Sequence, residues 1–309
     1  MPRKLLSSIV LVLLITNILT LLFWNKDKPK EVIIDNEDNT VNEIDTKKPV
    51  ATVDGKDITY DEWSKSLRKD YGKKQLKKMI DKSVVEKLVE KEEIEVNEKV
   101  IDREIALLRM TQGVMTKDEI EKKEAEWKED IIYRYQLEYL LTKDVSIPEE
   151  DIKSFYNSYH NQYDFKAATQ VSHILVPDME TAEKVKKELD DGASFSLLAK
   201  EYSIDEDSRD QGGYMGFFVN TSQFLPDAYL EETRQMEEHT YSGPIQSEGG
   251  YAIIYLHSKL PEITFTYDEI KPYVKGELAL DDANKDLNAG ELWDQIDVDW
   301  IYDEKDTVK

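Results

Sequence analysis

The run Val171-Ser172-His173-Ile174-Leu175-Val176, rich in β-branched and apolar residues, reads as a strand in a chain otherwise patterned for helices. Asp178 is placed to cap a helix that follows, with Ala182, Val185 and Leu189 on one face and Gly192 as its stop. A second helix carries Phe195, Leu198, Ala199 and Tyr202. Gly212-Gly213 then marks a tight turn before Met215-Gly216-Phe217-Phe218, and Tyr251-Ala252-Ile253-Ile254-Tyr255-Leu256 reads as a closing strand. Strand, two helices and later strands predict a small α+β domain over residues 166–260.

Helical periodicity dominates on both sides. Over residues 50–165, Val50 to Ile58 reads as a short strand or turn around Gly55. Thr59 and Glu62 have capping-box spacing. Trp63, Leu67 and Tyr71 then recur at helical spacing, as do Leu76, Ile80, Val84 and Leu88, then Ile101, Ile105 and Leu108, then Trp127, Ile131 and Tyr135. Gly72, Asn97 and Gly113 separate these helices, and the aromatic stripe is expected in a core. Residues 261–309 return to the same pattern behind a second capping box, Thr266 to Glu269, with Leu278, Leu287, Leu292 and Trp293 as an apolar face. A segment this short buries little surface alone. It is expected to pack back on the N-terminal helices, which makes the α+β domain an insertion in a helical body.

Residues 1–30 hold an apolar run from Leu5 to Trp24 behind Arg3 and Lys4. About 20 such residues cross a bilayer core as a helix. No A-x-A-like cleavage site follows, and Trp24 suits the interface, so a single uncleaved transmembrane anchor is expected, with a cleaved signal as the alternative and the body on the extracytoplasmic side. Residues 31–49, rich in Asp, Glu, Asn and Thr, are expected to be an acidic linker.

A net charge of −24 argues against a nucleic-acid partner, which needs a basic footprint. The absence of cysteine excludes disulfides, thiolate catalysis and a lipid anchor on an N-terminal cysteine. Four scattered histidines offer no metal-ligand spacing.

From about Ala168 to Leu256 the ordered motifs Ser-His-Ile-Leu-Val, Tyr-Ser-Ile-Asp, Gly-Gly-Tyr-Met-Gly-Phe-Phe and Tyr-Ala-Ile-Ile-Tyr-Leu resemble a parvulin-type peptidyl-prolyl isomerase. The larger plan resembles extracytoplasmic foldases of the PrsA and SurA type, with a chaperone-like helical body around the parvulin-like domain. The resemblance implies isomerisation of X-Pro bonds without metal or cofactor, acting on unfolded or proline-containing exported polypeptides. It places His173, Asp205 and Ser247 on the polar, catalytic side of the pocket, with Met215, Phe218 and Phe224 facing substrate. The aromatic position after Phe224 falls on Ala228, with Tyr229 one step away as the substrate-binding aromatic. Ala252 stands where the family carries a second histidine, and His257 is expected on the opposite face of its strand. The alternative implied by Ala252 is a non-catalytic holdase that keeps the parvulin fold.

Overall fold

A computed structural model describes residues 31–35, 41–221, 223–283 and 286–302. The expected transmembrane segment, Leu5 to Trp24, lies outside them. Among the described residues, no helix is long and apolar enough to cross a membrane.

The chain divides into two compact units, one running to Ile80 and rejoined from Asp299, the other spanning Asp81–Val298. The first holds β1 (Glu31–Asp35) paired antiparallel with β2 (Val41–Asp45), then β3 (Pro49–Val53) paired with β4 (Lys56–Thr59). The segment expected as a linker thus carries a strand pair. Its Val32-Ile33-Ile34 run supplies β-branched residues that outweigh the acidic flanks. Helix α1 (Tyr60–Leu67) starts on the expected capping box, with both Thr59–Glu62 bonds formed. Gly72 does not break the path: a π-helical turn, Arg68–Gly72, carries it into α2 (Lys73–Glu92). The Trp63, Leu67, Tyr71 stripe is not core. No residue of α1 is buried, and Leu67 and Tyr71 are exposed.

In the second unit, α3 (Glu98–Met110), α4 (Lys117–Thr142) and α5 (Glu149–Tyr159) form a helical group. Strand β5 (Ala168–Val176) follows. Then come α6 (Met179–Asp190), α7 (Phe195–Tyr202), the short α8 (Glu206–Arg209) and β6 (Tyr214–Val219). Helix α9 (Asp227–Gln235), β7 (Thr240–Tyr241), β8 (Ile245–Ser247) and β9 (Gly250–Leu260) complete the sheet domain. The sheet is antiparallel in the order β6-β5-β9-β7, with β8 also on β9.

Strand alternation divides the core in two. Ile174, Val176 and Ile253 pack with Ala182, Val185, Leu189, Leu198 and Ala199 of α6 and α7. Val171, Ala252, Ile254 and Leu256 face the other way, onto Leu225, Tyr229 and Leu230 of α9 and its approach.

After β9 the chain enters α10 (Tyr267–Ala283), started by the Thr266–Glu269 box. Ile270 and Val274 of α10 pack with Val100, Ile152, Tyr163 and Phe265. The α10 face therefore sits among α3 and α5, helices far earlier in sequence. Leu292 is buried in a closing 3-10 turn, whereas Leu287 is exposed, outside the apolar face expected for it.

Candidate functional site

His173 lies at the middle of β5, 6% exposed. Its backbone is fixed by the Gly-Gly turn. The His173 N–H donates to the Gly213 carbonyl at 2.8 Å. Gly213 has φ +81°, and a Cβ there would come 2.2 Å from the His173 carbonyl oxygen. Only glycine tolerates both the left-handed backbone and the contact. The Gly213 N–H donates to the Ser208 carbonyl at 2.9 Å, which draws α8 onto β5.

Asp205 caps α8, its Oδ2 accepting the Ser208 N–H at 3.1 Å. The same oxygen accepts from His173 Nε2 at 2.9 Å and from the Ser208 hydroxyl. His173 Nε2 also lies 3.1 Å from Ser208 Oγ. Burial alone would raise the Asp205 carboxyl. The bonds from Ser208 and His173 outweigh it and hold the carboxyl below its usual range. An ionised carboxylate only accepts, so His173 Nε2 carries a proton.

The other ring nitrogen, Nδ1, is 2.8 Å from the Tyr229 hydroxyl. Tyr229 is 1% exposed on the inner face of α9. Burial raises its phenol, a hydrogen bond with Ser247 counters this, and the Asp205 charge adds to the rise. Ser247, Tyr229, His173, Asp205 and Ser208 thus form one continuous polar line through a buried centre. Both ring nitrogens of His173 are thus engaged within this line.

Beside this line lies the apolar cluster of Val171, Leu225, Tyr229 and Ala252, with Leu175, Met215 and Phe218 packed against it, half-buried. Met215 and Phe218 share a face although three residues apart in a strand. A bulge makes this possible: Val171 pairs with Gly216 but Ser172 pairs with Tyr214, so Met215 is the extra residue.

The sequence-predicted residues His173, Asp205, Ser247, Met215 and Phe218 therefore converge. Two do not take the place expected. Phe224 is 87% exposed, and its neighbour Leu225, 2% exposed, packs into the cluster instead. Tyr229 is no substrate-facing wall, because its ring is buried and its hydroxyl is spent on His173. Ser208 was missed; its signal is the Asp-x-x-Ser cap spacing from Asp205 to Ser208.

Ala252 is fully buried in the cluster that holds the Tyr229 ring. His257 lies on the other side of the sheet, as expected. There its Nε2 is 2.7 Å from Ser172 Oγ and its ring stands 4.7 Å from that of Tyr255. Burial, with a smaller effect of His239, pushes His257 down to about 4. Among the described residues, no group of His, Asp and Glu could hold a metal ion.

Residues 147–272 match the profile of the PPIC-type PPIase domain. A putative peptidyl-prolyl cis-trans isomerase, YacD of Bacillus subtilis, is 38% identical over 259 residues, covering 84% of this chain and 87% of the relative. Foldase protein PrsA 2 of Bacillus anthracis is 32% identical over 236 residues, covering 74% and 75%. The crystal structure of a peptidylprolyl isomerase, PrsA from Bacillus cereus, aligns at 24% identity over 83% of this chain and 95% of that one, with a TM-score of 0.30.

Proposed function

Because the chain belongs to the PPIC-type, or parvulin, peptidyl-prolyl isomerase family, we propose that it serves as a membrane-anchored foldase for exported polypeptides. The chain is a peptidyl-prolyl cis-trans isomerase and resembles the PrsA foldases. The anchor in this reading is Leu5–Trp24, with the body extracytoplasmic. Its clients are unfolded, proline-containing chains, and residues 166–260 are the isomerase domain on a chaperone-like body of residues 50–165 and 261–309.

The reaction is rotation about an amide, against a barrier of about 18–20 kcal/mol. X-Pro bonds cross it unaided in tens to hundreds of seconds, slow enough to limit folding. In this reading Met215 and Phe218 hold the proline ring on the apolar side. The Asp205 carboxylate and Ser247 hydroxyl face the twisting amide as fixed polar groups. His173 keeps Asp205 in place, and Tyr229 keeps His173 in place. No bond to substrate is made or broken.

The observation that carries this reading is the polar line from Ser247 to Ser208 running beside the Met215–Phe218 wall. The test is proline-limited refolding of a denatured client with the full chain, His173→Ala and Asp205→Ala. The wild type should accelerate the slow phase, and both variants should lose most of that effect. No acceleration by the wild type at any concentration sinks the catalytic site reading. Ala252, in place of the family's second histidine, favours a second reading as a holdase. That reading expects suppressed client aggregation without any effect on the slow phase.

A further inference from the structure

A carboxylate that the isomerase site does not use stands unpartnered inside the helical group. Glu138, on α4, is 9% exposed. Its backbone carbonyl accepts the Thr142 hydroxyl at 2.7 Å, but among the described residues its carboxylate accepts no hydrogen bond. The arginines and the lysine nearest it bond other carboxylates, although the Arg134 charge still reaches it and Lys275 lines the same cleft. Arg134 bonds Glu104 at 2.8 Å, Arg103 also bonds Glu104, and Lys143 bonds Glu92. Glu277 already accepts the Tyr163 hydroxyl at 2.8 Å.

The fold makes room for this lone charge. A Cβ on Gly276, inside α10, would fall 2.5 Å from Glu138 Oε1. Glycine within a helix costs roughly 0.5–1 kcal/mol relative to alanine. Burial pushes the Glu138 carboxyl up to about 7; the Arg134 charge opposes the rise, and the Glu277 and Glu104 carboxylates add to it.

Glu138 opens onto two clefts, of about 640 and 750 Å³, with Tyr135 and Tyr273 lining both. The larger is also walled by Tyr139 and Pro272. The Tyr135 and Tyr273 rings meet edge to face with centroids 5.1 Å apart. The larger cleft joins these aromatic and apolar walls to a rim in which carboxylates, Glu93, Glu95, Glu98 and Asp268 among them, outnumber Lys143 and Lys275, with Glu138 as its most buried acid. Among the described residues, no cluster of three or more acidic or histidine groups could hold a metal ion, so a bare metal is a poor fit. An ammonium or guanidinium on an aliphatic stem fits better. The Tyr135 face is already covered by the Arg134 guanidinium, 4.2 Å away, so the stem lies along Tyr139 and Tyr273, the acidic rim attracts the cation, and the Glu138 carboxylate gains its missing donors.

We propose that the helical group holds a seat for one basic side chain, a lysine or arginine of an unfolded polypeptide, bound at Glu138 in the larger cleft beside Tyr139 and Tyr273. The inference rests on the foldase reading for the identity of the occupant and gives that reading a client preference. An occupant of this chemistry also suits a chain whose net charge is −24, which attracts basic segments before contact.

The test uses the full chain and two short fluorescein-labelled peptides without proline, identical except for a central lysine or norleucine, compared by anisotropy at low salt. The lysine peptide should bind about tenfold tighter, and Glu138→Gln should erase that difference. A second variant, Glu138→Leu, guards against a rearranged amide and should behave alike. Thermal melting should report both variants folded. Equal affinity for the two peptides, no binding of either, or a lysine preference that survives both variants overturns the proposal. Isomerisation of a short prolyl peptide is measured in parallel. Glu138→Gln should leave it unchanged, so a failed seat and a failed isomerase site give different results.

Discussion

The Tyr229 hydroxyl lies 2.8 Å from Nδ1 of His173, in the fully buried cluster that also contains Ala252. The histidine that the family pattern expects at 252 is absent, yet His173 is not left with a bare nitrogen. A phenol from α9 supplies the partner, and the small Ala252 side chain belongs to the same packed group as its ring.

Tyr229→Phe keeps the ring and removes that partner. Leaving a buried acceptor unsatisfied costs about 1–3 kcal/mol. The variant should lose stability in that range by urea denaturation. Its isomerase activity should fall further than the unfolded fraction explains, because His173 and Asp205 lose their fixed orientation.

Gly213→Ala and Gly216→Ala form a matched pair. Both glycines have positive φ, +81° and +97°, but only Gly213 is pressed against a backbone, 2.2 Å from the His173 carbonyl. The left-handed backbone alone costs alanine roughly 1–2 kcal/mol, which is the expectation for Gly216→Ala. Gly213→Ala adds an unrelievable clash and should cost on the order of 3 kcal/mol or more, seen as loss of soluble folded protein.

His257 is held neutral, its folded value near 4 against 6.5 in the open chain. Between those values the unfolded chain takes up a proton that the native state refuses. Stability from this group is complete above about pH 6.5 and drains away as pH falls toward 4. His257→Asn should flatten the stability curve in that window relative to wild type, read by urea titrations at successive pH values. Parallel curves would refute the assignment.

Glu138 has the opposite dependence. Its folded value of about 7 lies above the ordinary 4.5, so the native state retains a proton that the unfolded chain releases. The cost of its charge is absent at pH 4, and stability declines as pH rises from about 4.5 through 7. Glu138→Gln should be more stable than wild type at pH 8, on the order of 2–3 kcal/mol, with the gap closing in acid.

The strand–helix–helix–strand order, the Asp178 cap and both threonine capping boxes were legible because each rests on local chemistry, whereas the places of His173 and Asp205 came from the resemblance to the parvulin pattern. The inward turn of Tyr229 was legible in principle. Leu225, Tyr229, Leu230 and Thr233 all fall buried, which puts Phe224 outside. Matching positions to a family pattern across a one-residue insertion pointed the other way. Glu138 could not be read. Its isolation depends on Gly276, far away in sequence, and on neighbours whose charges pair among themselves. The strand pair of β1 and β2 was obscured because charge-rich composition hid a short β-branched run.

Ser172 and His173 are adjacent, yet each belongs to a different histidine centre, one paired with His257 and the other with Tyr229. A single residue inserted or deleted upstream in β5 would exchange their faces, setting a hydroxyl before Tyr229 and an imidazole before His257. Side chains on either surface can be altered independently, but the phase of this one strand cannot. Length changes in β5 should therefore be the least tolerated anywhere in the sheet, silencing both centres in one step.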